Sequence, residues 1–140
     1  MKTPNYVFLD GKRYPLRFSL YASKEIAEKY GTMENALKKI KNSQKEGNQS
    51  ETIGIIVDLA ECMIRTGCEY SNVFGWKPSA DDPVDENGKM IPLTANQIML
   101  LCGVDGIKDL FNAVTKTIEA DQSKKINTTS KKKYKKPKKR

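Results

Sequence analysis

The sequence predicts an α+β domain: an N-terminal β-hairpin packed on about five α-helices, followed by a disordered basic C-terminal tail. Three observations carry that expectation. Residues 6–18 alternate in polarity about an Asp10-Gly11 pair. Residues 20–120 show apolar repeats at helical spacing, broken by glycine, threonine and proline. Beyond residue 120 apolar side chains almost vanish.

The hairpin comes first. Asp10-Gly11 is a two-residue type I′ loop, because both positions tolerate positive φ. That loop pairs Val7 with Tyr14, Leu9 with Lys12 and Tyr6 with Pro15, whose missing N–H falls at a non-hydrogen-bonded position. One face then carries Val7, Leu9, Tyr14, Leu16 and Phe18; the other carries Tyr6, Phe8, Arg13 and Arg17. A lone hairpin is marginal in water, so its apolar face must lie on helices.

The helices follow in order. Ala22, Ile26 and Tyr30 recur every four residues, and Gly31 is placed to end that helix in the left-handed conformation. Thr32 caps a second with Met33, Ala36, Leu37 and Ile40 on one stripe, and residues 41–49 read as loop. Residues 50–68 form the longest helix, with Ile53, Ile56, Val57, Ala60, Ile64 and Cys68 on one stripe and Ile55, Leu59 and Cys62 on another. Two apolar stripes imply a central helix covered on both sides. Residues 75–92 break the pattern with three prolines and solvating Asp81, Asp82, Asp85 and Glu86, and read as a mobile insertion or a functional loop. Within it Asn87-Gly88 signals a small hairpin, and Trp76 is either a buried anchor or an exposed contact. Thr94 caps a fourth helix with Ile98, Leu101 and Cys102; Asp105 starts a fifth with Ile107, Leu110, Phe111, Val114 and Ile118. The organisation is therefore a single domain over residues 1–120, carrying the 75–92 polar loop insertion, and a disordered Lys-rich tail over 121–140.

The net charge of +8 is not spread over the chain. Residues 1–120 hold 15 Lys+Arg against 16 Asp+Glu, a balance of −1; residues 121–140 hold 10 against one, a balance of +9. A basic face on the domain is thus not expected, and the tail residues Lys131, Lys132, Lys133, Lys135, Lys136, Lys138, Lys139 and Arg140 are the candidate phosphate contacts. No apolar run reaches the roughly 18 residues of a membrane span, and the N-terminus lacks an apolar signal core, so the expected place is the cytoplasm.

Catalytic chemistry finds no anchor. Histidine is absent, there is no CxxC pair, and the three cysteines sit in apolar stretches as reduced thiols. The acidic cluster misses the calcium-loop spacing, and Gly103-Val104-Asp105-Gly106 lacks the strand and Lys-Ser/Thr of a phosphate cradle. The outer hairpin face imitates a single-strand-binding platform less well than an ordinary amphipathic surface or a helix contact. No enzyme, metal or cofactor is read from these residues. Met99, Leu100 and Leu101 are consecutive, so at least one must turn away from the core-facing stripe; Met99 and Leu100 are the candidate partner-binding residues, the alternative being burial against the central helix.

A short strand, a Gly-Lys turn, Tyr14-Pro15-Leu16-Arg17-Phe18, then Ser19-Leu20-Tyr21-Ala22 leading to Ile26 and Lys29-Tyr30-Gly31, resembles the N-terminal signature of tail assembly chaperones. These are encoded by long-tailed phages and prophages of Gram-positive bacteria. The succession of short helix, long apolar helix, polar insertion, Leu93-Thr94-initiated helix and final amphipathic helix is similar over residues 5–120. The resemblance implies a non-virion assembly factor in the bacterial cytoplasm, with the tape measure protein and the tail tube protein as partners. It further implies a translational frameshift near the end of the short form, for which Ser130-Lys131-Lys132-Lys133 fits an A-rich slippery run. The strongly basic tail departs from the family pattern. It supports the alternative of a small nucleic-acid-binding protein acting weakly and non-specifically through residues 131–140, or a tail that binds an acidic partner surface.

Overall fold

The computed structural model of the 140-residue chain describes residues 5–75 and 79–122. The elements are β1 (Asn5–Leu9), β2 (Lys12–Leu16), α1 (Leu20–Tyr30), α2 (Met33–Lys45), α3 (Gln49–Phe74), α4 (Ala95–Leu101), a 3₁₀ turn (Val104–Gly106) and α5 (Ile107–Asp121). The fold is α+β, with a two-stranded antiparallel sheet and five helices.

Asp10 and Gly11 both take positive φ, 53° and 78°, and the pairing Val7–Tyr14, Leu9–Lys12 and Tyr6–Pro15 is the register that the loop demands. Leu9, Tyr14, Leu16 and Phe18 enter the core. The opposite face is less simple than alternation implies. Phe8 stands exposed, but Arg17 is buried, its guanidinium stacked 3.8 Å from the centre of the Tyr70 ring on α3. The outer edge of β2 faces protein as well. Arg13 N–H donates to the Asp81 carbonyl (2.9 Å) and Arg17 N–H to the Met63 carbonyl (3.1 Å). Between them sits Pro15, which has no N–H to satisfy, against Gly67 of α3.

α3 is the central helix. Both stripes are buried, from Ile55, Ile56 and Leu59 through Cys62, Ile64 and Cys68, and it packs on β2, α1, α2, α4 and α5. It runs six residues beyond Cys68, because Glu69 to Asn72 are compatible with helix and Tyr70 stacks on Phe74 one turn later, 4.7 Å between centroids. Gly75, in the left-handed conformation, ends it. α2 likewise outruns its apolar stripe. Ser43 is buried, donating to the Ile40 carbonyl and bonded to the Thr52 hydroxyl of α3, so a polar pair extends the helix to Lys45. Thr32 caps α2 by accepting from Asn35 N–H (2.9 Å). Gly31 ends α1 at φ 88°, ψ −55°, positive in φ but outside the left-handed helical basin.

The 79–92 segment is docked through Asp82, Pro83 and Met90, while Asp81 and Glu86 stay exposed. Asp82 is fully buried and paired with Arg13 (2.6 Å) while accepting from Ser79 N–H (2.8 Å). Asn72 of α3 clamps Met90 by both its amide groups, and Val84 bridges to Met90 around the Asn87-Gly88 turn. The expectation of four solvating acids is thus corrected at Asp82. Its partner lies 69 positions away, where local composition carries no signal. α5 starts at Ile107, after the 3₁₀ turn, and continues to Asp121, whose carboxylate accepts from Phe18 N–H (3.0 Å). Asp121 therefore belongs to the fold rather than to the tail. Trp76 and the tail lysines lie outside the described residues.

Candidate functional site

α4 is short and weakly anchored, and this produces the most exposed apolar surface at its end of the domain. Thr94 and Gln97 close a reciprocal capping box: Thr94 Oγ1 accepts from Gln97 N–H (3.1 Å) and Gln97 Oε1 accepts from Thr94 N–H (2.9 Å). Of the seven residues only Ile98 is buried. Met99 and Leu100, the two candidate partner-binding residues, are 47% and 84% exposed, Leu101 is 38% exposed and Val104 79%. Full burial of both against α3 is thereby excluded: Leu100 stands clear of it, and Met99 is half covered.

Met99 does more than face water. With Ile53 and Val57 of α3, Cys102, Val104 and Ile107 it lines a groove of about 180 Å³ that, among the described residues, no carboxylate or amine lines. Leu100 stands outside that groove, on the adjoining surface. The sequence reading missed Val104 and Ile107 as groove walls. Its available signal was an apolar residue on each side of the Asp105-Gly106 break, at a helix start where side chains have not yet joined the core stripe.

A second groove, of about 220 Å³, lies at the other end of α3. Phe18, Tyr21, Tyr70, Val73 and Phe74 supply its apolar and aromatic surface. Val73, Phe74 and Tyr21 are each more than half exposed. Arg17, Glu69 and Asp121 also line it, so one guanidinium stands with two carboxylates where α3 and α5 end.

The perturbed ionisable groups elsewhere hold the fold together. Arg65 bridges Glu25 and Glu61, and its guanidinium holds the Glu25 carboxyl below the usual range. Tyr30 donates to Asp58 (2.7 Å), and burial pushes its phenol up. Burial also raises the Cys62 and Cys68 thiols to about 12, so neither offers a thiolate near neutral pH. Among the described residues no group of three or more Cys, Asp or Glu side chains is placed to hold a metal ion. None of their helices is long and apolar enough to cross a membrane.

The class defined by fold and surface is a hairpin-and-helix α+β domain with an apolar groove at each end of its central helix. No protein-family model matches the chain, and neither a curated protein nor a solved structure matches it.

Proposed function

We propose that the chain is a non-enzymatic tail assembly chaperone of a long-tailed phage or prophage, which binds the tape measure protein, keeps it soluble and helps recruit tail tube subunits around it. It acts in the cytoplasm of the bacterial host and is not part of the mature virion. The observation that carries this reading is the exposure of Met99, Leu100, Leu101 and Val104 beside an uncharged groove on a folded helix pair. Contiguous exposed apolar surface of this kind marks a docking face, and an amphipathic client helix fits a groove between helices. The likeness of residues 5–31 to the chaperone signature selects the client.

Co-expression tests the reading. With the chain, the tape measure protein of the same phage should remain in the soluble fraction; alone it should aggregate. Changing Met99 and Leu100 to Gln should leave the melting temperature within a few degrees, because surface substitutions shift stability by about 0.5 kcal/mol or less. The same double variant should lose client solubilisation. A tape measure protein equally insoluble with and without the chain would remove the assignment.

The charge of +9 over residues 121–140 favours a second reading, non-specific nucleic-acid binding through the tail. It predicts affinity that falls steeply with salt and is abolished by replacing the lysines of residues 131–139. Salt-resistant, sequence-selective binding by the folded residues would contradict both readings.

A further inference from the structure

The two edges of the hairpin differ. Arg13 N–H and Arg17 N–H point away from β1 and bond to carbonyls of the domain, with Pro15 between them. Facing residues of an antiparallel pair alternate between bonded and non-bonded sites. Phe8, opposite Arg13, and Tyr6, opposite Pro15, therefore turn their own N–H and C=O away from β2. Those groups of β1 meet no backbone partner among the described residues. On the outer face of the same positions stand the Phe8 ring, 63% exposed, and the Tyr6 ring beneath the Arg13 guanidinium.

Beside this open edge runs α5. A groove of about 480 Å³ joins Asn5 and Tyr6 to Asp109, Asn112, Ala113 and Lys116. These four helical residues are spaced i, i+3, i+4 and i+7, so they share one face. That face is acidic at one end and basic at the other, with an amide and a methyl group between. Neither Asp109 nor Lys116 enters an ion pair among the described residues. Turned end for end, such a face complements itself, and so does the edge of a strand. A twofold axis satisfies both at once.

We propose that this surface docks a second copy of the chain. β1 pairs antiparallel with β1 of the second copy about an axis at Val7. Tyr6 then meets Phe8 of the second copy, and Phe8 meets its Tyr6, each pair exchanging both N–H···O bonds. The two-stranded sheets join into one in the order β2-β1-β1-β2, and Phe8 gains an aromatic neighbour on its own face. The same axis sets Asp109 of each copy toward Lys116 of the other. An unrelated extended peptide would supply the backbone bonds but not these reciprocal charges. The contact uses neither groove at the ends of α3, and the inference does not depend on the identity of any client.

Sedimentation velocity of the full chain across a range of concentrations tests it, with thermal melts as the control for folding. A reversible monomer–dimer equilibrium is expected. Asp109→Lys and Lys116→Glu each set like charges opposite one another, and each alone should raise the dissociation constant at least about tenfold. An equimolar mixture of these two variants should recover a dimer, because one copy then brings two cations and the other two carboxylates. Phe8→Pro removes an outward N–H without taking a bond from the hairpin, and should abolish the dimer in a folded chain. If that variant unfolds, the mixing experiment decides alone. A chain that is monomeric at every concentration overturns the proposal, as does a dimer that survives Phe8→Pro. Single charge variants whose mixture stays monomeric overturn it too. So does a monomeric chain that captures extended peptides at β1, since that edge then serves a different occupant.

Discussion

Replacing Gly67 by Ala probes the tightest site among the glycines of the described residues. A Cβ added at Gly67 would lie 2.5 Å from the Pro15 carbonyl oxygen, 2.8 Å from its carbon and 3.0 Å from the Pro15 Cβ. Carbon and oxygen normally approach to about 3.3–3.6 Å, so the overlap is close to 1 Å. The atoms it meets are chiefly backbone on a strand whose neighbours Arg13 and Arg17 are both hydrogen-bonded outward, so no side-chain rotation relieves it. Forcing a methyl group into a packed site costs about 1–3 kcal/mol, and stretching the Arg17–Met63 bond adds about 1 kcal/mol. Against this, Gly→Ala inside a helix returns about 1 kcal/mol. The net expectation is a loss of about 1–3 kcal/mol, or a melting temperature lower by about 4–12 °C. Gly54 lies on the same helix with nothing within 4 Å of its added Cβ, so Gly54→Ala isolates the propensity gain and should raise the melting temperature by about 2–4 °C. Thermal and urea melts followed by circular dichroism measure both. Two variants that are stabilised alike would refute the claim that α3 and β2 meet backbone to backbone at residue 67.

Two further outcomes are expected. Burial raises the Asp82 carboxyl, but the Arg13 guanidinium and the Ser79 N–H lower it more, leaving it below its usual range. A depressed carboxyl stabilises the fold above its unfolded value near 3.9 and loses that contribution as pH falls through the folded value. Asp82→Asn should therefore lose about 1–3 kcal/mol at neutral pH, with the gap to the parent closing below about pH 4 in urea titrations; a gap that persists there points away from the ion pair. With thiol values of about 12, Cys62 and Cys68 should react with a disulfide reagent at neutral pH only as fast as the chain opens, while half-buried Cys102 reacts first. Rapid modification of all three would show that α3 is less well covered than its burial indicates.

What the sequence disclosed followed from local rules. Asp10-Gly11 dictated a register that placed Pro15 opposite Tyr6, and the paired stripes of residues 53–68 marked the central helix before any packing was visible. Thr32 and Thr94 announced their caps for the same reason, since each bond spans three residues. Asp82 and Arg17 were misjudged because burial of a charge depends on a distant partner, Arg13 for the one and the ring of Tyr70 for the other. Of the candidate site, the exposure of at least one of Met99, Leu100 and Leu101 followed from their being consecutive. The walls of the groove did not, because Ile53 and Val57 reach Met99 only through the packing of α3 on α4.

The outer edge of β2 has one more consequence. Its two outward amides already have carbonyl partners and its third position is a proline, while Asn5 of β1 is tied to Thr117 of α5 (3.2 Å). On the β2 side an incoming strand finds no ladder to extend. Backbone-to-backbone recognition, which accepts almost any extended peptide, is thereby closed along that edge. A visitor to this side of the molecule must be read by the shape and chemistry of its side chains, so selectivity is imposed before the first contact by the way the sheet is sealed.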